Sequence, residues 1–225
     1  MLYIVATPIG NMKDITLRAL EVLKKVDVIA CEDTRETLKL LRQYDIEKRL
    51  ISYHRDNEKK RLHILLNMLK DGKNIALVCD RGTPGVSDPA YLLVRESHKN
   101  DIEVVPIPGP SSFTAALSVS GLSSDEVCFY GFLPRKEGKR KKLLEKLKER
   151  EETIVFFESV HRIIKSLNRI YEVFGNREVT VCRELTKKFE EIKTGSLNEI
   201  MEWYEHHPVK GEFVILIKGQ KNSGQ

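Results

Sequence analysis

The segment CDRGTPGVSDPA (79–90) packs Asp80, Gly82, Pro84, Gly85, Asp88 and Pro89 into one loop after an apolar run. Glycines let a backbone approach a ligand closely and prolines fix its path, so this density suits a loop moulded around a bound molecule. Asp88 with Pro89 behind it also suits a helix start, as N-cap and first helical residue. PIPGPSS (106–112) is a second such loop. Its Pro-Gly-Pro stiffens the approach to a helix whose free N–H groups can meet a ligand, and Ser111 or Ser112 can cap that helix. TPIGN (7–11) offers Gly10 for close approach but reads equally as a plain strand-to-helix turn. CEDTRET (31–37) offers Glu32 and Asp33 as acceptors for hydroxyls, while Asp33 or Thr34 can equally cap the next helix. Together the four describe a pocket that grips a small molecule through backbone and carboxylates.

Other chemistries lack their signatures. The first loop has one glycine where a dinucleotide fingerprint needs G-x-G-x-x-G, which disfavours a nicotinamide dehydrogenase. No G-x-S-x-G elbow presents a nucleophilic serine. The six histidines (54, 63, 98, 161, 206, 207) form no metal-spaced motif such as HExxH, so no metal is expected. Cys31, Cys79, Cys128 and Cys182 each lie within or at the end of an apolar run and form no CxxC pair, which reads as buried thiols.

The elements that must hold these loops alternate in type. Strands are expected at 2–7, 26–33, 49–54, 74–80 and 102–108, with helices at 14–25, near 35–43, at 57–70, 89–98 and 111–121. Asp14 can cap the first helix; Asn57 can cap the third and Gly72 end it. Such alternation predicts a parallel sheet with helices on its faces, which binds ligands at the carboxyl ends of its strands. The second half has five more strand-like runs (126–133, 153–159, 178–185, 189–196, 211–219) but only two good helices, 159–174 and 196–206, which suggests a mixed sheet. GLSSDE (121–126) is the natural linker, giving an N-terminal α/β domain at 1–120 and a C-terminal mixed α/β domain at 121–225.

The 225 residues are 41% hydrophobic and 32% charged, the balance of a folded soluble chain. No apolar run approaches the roughly 20 residues needed to span a bilayer. MLYIVATPIGN lacks a basic n-region and reads as a first strand, so a cytoplasmic location is the default expectation. The net charge of +5 is unevenly placed: segment 135–150 has nine Lys/Arg against three Glu, or +6, leaving about −1 for the rest. That segment can be a solvated helix. Its excess of cations (Arg135, Lys136, Lys139, Arg140, Lys141 and Lys142 first among them) makes it the candidate site for a polyanion. No RRM, KH or zinc-finger signature accompanies it.

TPIGN, CEDTR, DRGTPGVSDP, PIPGPSS, FYGFLPRK, ESVHR, RELTKKFEE and KGEFVILI occur in that order along nearly the whole chain. This set resembles the tetrapyrrole methylase superfamily, and within it the branch that methylates the ribose 2′-hydroxyl of a cytidine in small-subunit ribosomal RNA. One departure is visible: the family's Ser-Pro-His-Arg is Ser159-Val160-His161-Arg162 here, which loosens a loop that proline would stiffen. The resemblance implies a five-stranded parallel sheet followed by a five-stranded mixed sheet, S-adenosylmethionine in the interdomain cleft, a homodimer, and ribosomal RNA or an assembled small subunit as partner. It maps the cofactor loops to Pro8, Ile9 and Gly10, to Asp80, Arg81, Gly82, Thr83, Pro84 and Gly85, and to Pro108, Gly109, Pro110, Ser111 and Ser112. It maps the C-terminal motifs to Glu158, His161, Arg162, Arg183, Glu184, Lys187, Gly211 and Glu212, and Arg162 and Arg183 join the candidate RNA contacts.

Methyl transfer from a sulfonium is a direct displacement that asks for alignment of acceptor, methyl and leaving sulfur, exclusion of water, and help for the acceptor's proton. A ribose hydroxyl is a weak acid, so a general base or a nearby cation is needed. Lys187, beside Arg183 and Glu184, is a candidate for that base, with Glu184 and Glu158 as rivals; a solvated or phosphate-binding lysine is the plainer account of it. Two other classes stay open: an enzyme of the same fold acting on a tetrapyrrole or a protein side chain, and a non-catalytic RNA- or ribosome-binding protein with a degenerate cleft.

Overall fold

The computed structural model describes residues Met1–Gln220. The chain divides into two compact units, Met1–Ser111 and a second that begins at Ser112. The first holds strands β1 (Leu2–Val5), β2 (Val28–Cys31), β3 (Arg49–Ser52), β4 (Ile75–Leu77) and β5 (Val104–Ile107). All pair in parallel, in the order β3-β2-β4-β1-β5. β2 and β4 are buried throughout because helices cover both faces. The alternation of side chains along β2 shows how. Ile29 and Cys31 pack with Ala19 and Leu23 of α1 (Leu17–Lys25) and Leu40 and Leu41 of α2 (Thr34–Gln43). Val28 and Ala30 pack with Leu65, Leu66 and Leu69 of α3 (Glu58–Lys70) and Leu93 of α4 (Tyr91–Lys99).

Helix starts differ from the sequence reading in three places. Thr16, not Asp14, caps α1, accepting from Ala19 N at 3.1 Å; Asp14 closes a short 3₁₀ turn, Met12–Asp14. Asn57 precedes α3 but turns its Oδ1 back to His54 N at 2.9 Å, outside the helix. The residue before α4 is Ala90, so Asp88 is free of a capping role. Asp33 does cap α2, through Arg35 N at 2.8 Å.

The second unit carries β6 (Val127–Phe132), β7 (Thr153–Ser159), β8 (Glu178–Arg183), β9 (Glu191–Ser196) and β10 (Glu212–Ile217) in the order β6-β7-β10-β8-β9. β6 and β7 are parallel and the other pairs antiparallel, the mixed sheet expected. Three helices, not two, build its main core: α6 (Glu137–Leu147), α7 (Ile163–Phe174) and α8 (Leu197–His206). α6 escapes the apolar pattern because only Leu143, Leu144 and Leu147 face inward among its lysines. α5 (Ser112–Val119) packs on β10, and Thr180 Oγ1 of β8 donates to Ser120 O at 2.9 Å. The units therefore part at 111/112, where the sequence suggested 120/121. No helix among the described residues is long and apolar enough to cross a membrane. The four cysteines are free thiols, three buried and Cys128 half-buried.

Candidate functional site

Parallel strands end at one edge, so the loops after β1, β2, β4 and β5 share the same rim of the first unit. Hydrogen bonds tie them into one surface. Thr7 and Gly82 form an antiparallel bridge, N to O at 2.8 Å and back at 3.0 Å. Thr7 Oγ1 donates to Cys79 O at 3.0 Å. Thr83 Oγ1 donates to Pro110 O at 3.1 Å, linking the loops after β4 and β5. Asp33 N donates to Asp80 Oδ1 at 2.9 Å, linking those after β2 and β4. Pro8, Ile9, Gly82 and Pro84 are buried in this mesh, while Gly10, Arg81, Gly85, Pro108 and Gly109 are exposed and Asp80, Thr83, Pro110 and Ser111 half-buried. Two glycines are required sterically. Gly82 has φ +85°, a left-handed conformation that side chains oppose. A Cβ on Gly109 would stand 3.0 Å from that of Ala6. Ser112 opens α5 in the second unit.

The rim is acidic, as its loops led one to expect. Burial, first of all, raises the carboxyls of Glu32, Asp80 and Asp88 above the usual range. The charges of Asp80 and Asp88 push Glu32 further. Asp33 goes the other way, held down to about 2 by hydrogen bonds from Arg35. Glu32 and Asp88, both carried by the loops read from sequence, thus share the site with Thr7 and with the loop after β3, where the Arg55 guanidinium donates to Ser87 O.

A raised carboxyl favours its protonated form in the fold, so its contribution to stability falls as pH climbs from the unfolded value through the folded one. Replacing Glu32 by Gln should therefore raise the melting temperature of the ligand-free protein at neutral pH. The gain should vanish toward about pH 4, where glutamic acid is itself largely neutral. A gain that persisted there would point to packing instead of charge.

The second unit gathers its motifs at one rim too. The carboxyl ends of β6, β7 and β8 meet the amino ends of β9 and β10 there, since Glu212 stands opposite Ser159, Phe213 opposite Arg183 and Arg183 opposite Glu191. Glu158, a candidate base, is 2% exposed and fully engaged. It accepts from Ser159 N at 2.8 Å, Arg162 Nη2 at 2.6 Å and Ser166 Oγ at 2.6 Å. Its contacts are those of a structural carboxylate that joins strand ends. Arg162 also donates to Leu133 O at 2.9 Å, and Arg183 donates to Glu191 and to Lys210 O. Both arginines expected on RNA are thereby committed to joining strand ends. Val160 packs against the core, and Arg162 N bonds Ser159 O at 3.0 Å, so the turn without proline is held by packing and a hydrogen bond.

Lys187 sits between two carboxylates: its Nζ donates to Glu184 Oε1 at 2.7 Å and to Glu212 Oε2 at 2.8 Å. Glu184 also accepts from Glu212 N at 2.9 Å. The loop that presents this triad is strained, with φ +50° at Glu184 and +65° at Thr186. In the basic segment, Arg135, Lys136, Lys139, Lys141 and Lys142 are exposed. Arg140 is 8% exposed, its guanidinium spent on Pro134 O and Arg135 O at 3.1 Å each. It faces inward at the helical spacing of Leu144 and Leu147, and is removed from the candidate phosphate contacts. No group of three or more metal-ligating side chains occurs among the described residues.

A model of the family described as Tetrapyrrole (Corrin/Porphyrin) Methylases matches residues 1–201. A Bacillus subtilis protein named ribosomal RNA small subunit methyltransferase I is 46% identical over 222 residues, covering 99% of this chain and 76% of its own. A protein of that name from Thermotoga maritima is 45% identical over 220 residues, covering 98% and 99%. The crystal structure of the methyltransferase CobJ superposes with a TM-score of 0.71 over 99% of this chain and 96% of its own, at 17% identity, a likeness of fold.

Proposed function

The chain belongs to the tetrapyrrole methylase family, and we propose that as a methyltransferase of this family it modifies the ribose 2′-hydroxyl of a cytidine in small-subunit ribosomal RNA. The naming of relatives about 45% identical along nearly the whole chain supports RNA as the substrate class. The exposed cations of α6 agree with it, and S-adenosylmethionine is the donor the family implies. The observation that carries the reading is the cross-bonded rim of the first unit. Gly82 and Gly109 leave no room for a side chain, and the carboxylates Glu32, Asp80 and Asp88 are half-buried together, with Arg55 and Arg81 among the cations acting on them. That chemistry fits a donor bearing a sulfonium, an ammonium and ribose hydroxyls. Pro8 to Gly10, Asp80 to Gly85 and Pro108 to Ser112 would hold it. When bound, it supplies a methyl carbon that the acceptor oxygen displaces from sulfur. A cytoplasmic location, where ribosomal RNA is modified, and the family's homodimer are part of the proposal.

The remaining chemistry falls to the chain's own groups. We place Lys187 beside the acceptor hydroxyl. Fixed by Glu184 and Glu212, its ammonium stabilises the oxygen as the proton departs and the attack begins. Glu212, whose side chain is 61% exposed, gives that proton a path to water. Glu158 and Arg162 keep the ends of β6 and β7 in place.

Incubation with labelled S-adenosylmethionine and small ribosomal subunits lacking the modification should label one cytidine and make the following phosphodiester resistant to alkali. Label on protein or on no RNA would refute the reading. Exchanging Lys139, Lys141 and Lys142 for Gln should flatten the fall of RNA affinity with rising salt by up to three phosphate contacts' worth, a slope change of about 2–3 in log–log terms. Arg140→Gln should act instead on stability. An unaltered slope in the triple variant would show that α6 does not touch phosphate.

A further inference from the structure

β6 is an edge strand, and its pairing with β7 slips between Phe129 and Phe132: Phe129 stands opposite Val155, and Phe132 opposite Phe157. Three steps on β6 match two on β7, a bulge made possible by Gly131 at φ +64°. In a regular strand Phe129 and Phe132 would point to opposite faces. The bulge puts both on the Phe157 side, while Tyr130 meets Phe156 and Leu133 joins the core on the helical side. Phe132 is consequently 55% exposed.

The ring is backed. Phe157 stands edge-on to it at 5.7 Å between centroids, Phe129 edge-on to Phe157 at 4.9 Å, and Phe113 of α5 against Phe129 at 5.0 Å. Next along the chain are Arg135, Lys136 and Lys139, all exposed, while the nearby Glu137 is bound by Arg169 and Glu158 by Arg162. A large aromatic turned to water by a backbone irregularity, braced by other rings and followed along the chain by three exposed cations, has the make-up of a single-strand nucleic-acid platform.

We propose that Phe132 is the surface on which an unpaired base of the RNA substrate stacks, with Arg135, Lys136 and Lys139 on the adjoining phosphates. This rests on the RNA methyltransferase reading above and adds the mode of recognition: splayed nucleotides next to the target, read by their π-faces. The charge around the ring favours RNA over a second copy of this net-basic chain.

The test compares full-length wild type, Phe132→Ala and Phe132→Trp on unmodified small ribosomal subunits. Loss of stacking should raise KM of the alanine variant roughly 5- to 150-fold. Its kcat, its donor affinity by calorimetry and its salt slope should be unchanged, and tryptophan should restore KM. Wild-type KM in the alanine variant would overturn the proposal, as would a tryptophan variant as poor as alanine. A switch from dimer to monomer in sedimentation would assign the face to a second copy and overturn it too. If wild type itself methylates no subunit, the enzymatic reading has failed and this proposal falls with it; wild-type methylation with an indifferent Phe132 rejects the platform alone.

Discussion

Lys187→Ala is expected to lower turnover by about 10²- to 10⁴-fold while leaving affinity for S-adenosylmethionine unchanged. The donor's proposed loops belong to the first unit but for Ser112, whereas Lys187 is anchored in the second by Glu184 at 2.7 Å and Glu212 at 2.8 Å. A change confined to kcat is thus the signature of a group acting on the acceptor. Lys187→Arg separates the two chemistries open to a lysine here. Arginine does not give up its proton in a protein, so it cannot serve as a base, but it can serve as a fixed charge. With two carboxylates already bound to Nζ, we expect the arginine variant to keep more turnover than the alanine variant. An arginine variant as inactive as alanine would shift the assignment to a base, and undiminished turnover in both would remove Lys187 from the chemistry. Single-turnover rates at saturating donor are the measurement to make, because they exclude product release.

The second large effect is on folding. Glu158→Ala should cost about 3–5 kcal/mol, the range found when one partner of a buried ion pair is removed and the other is left behind. Three donors lose their acceptor at once: Ser159 N, Arg162 Nη2 and the buried Ser166 hydroxyl. Arg162, with only 20% of its side chain exposed, keeps Leu133 O but cannot recover its ion pair from water. Glu158→Gln retains the shape and one carbonyl acceptor and should lose less. Urea denaturation reads both. A glutamine variant with full stability but no turnover would reinstate Glu158 as a catalytic base; a destabilised variant whose surviving folded fraction turns over normally supports the scaffold role.

The ten strands, and the division into a parallel and a mixed sheet, could be read from local pattern because burial on both faces demands unbroken apolar runs, as in Val28–Cys31 and Ile75–Leu77. The binding loops were legible for a related reason. Glycine and proline report backbone demands at their own positions, and Gly82 does take the left-handed conformation. Charged side chains carry no such local mark. Arg140 and Lys141 are neighbours of the same type, yet one bonds two carbonyls inside the fold and the other is exposed. Glu158 and Glu184 both ride in motifs, and only their surroundings distinguish a sealed carboxylate from one that shares a lysine. Gly211 makes the same point: a Cβ there would lie 2.3 Å from Glu184 Cγ, a residue 27 positions earlier. The side on which Phe132 emerges depends on a slip against β7, and the place of α5 depends on β10, a strand nearly a hundred residues downstream. Periodicity and turn chemistry act over a few residues and are written in order along the chain. Ion pairing, strand register and packing are decided by whichever groups arrive opposite, and those meet only once the chain has folded.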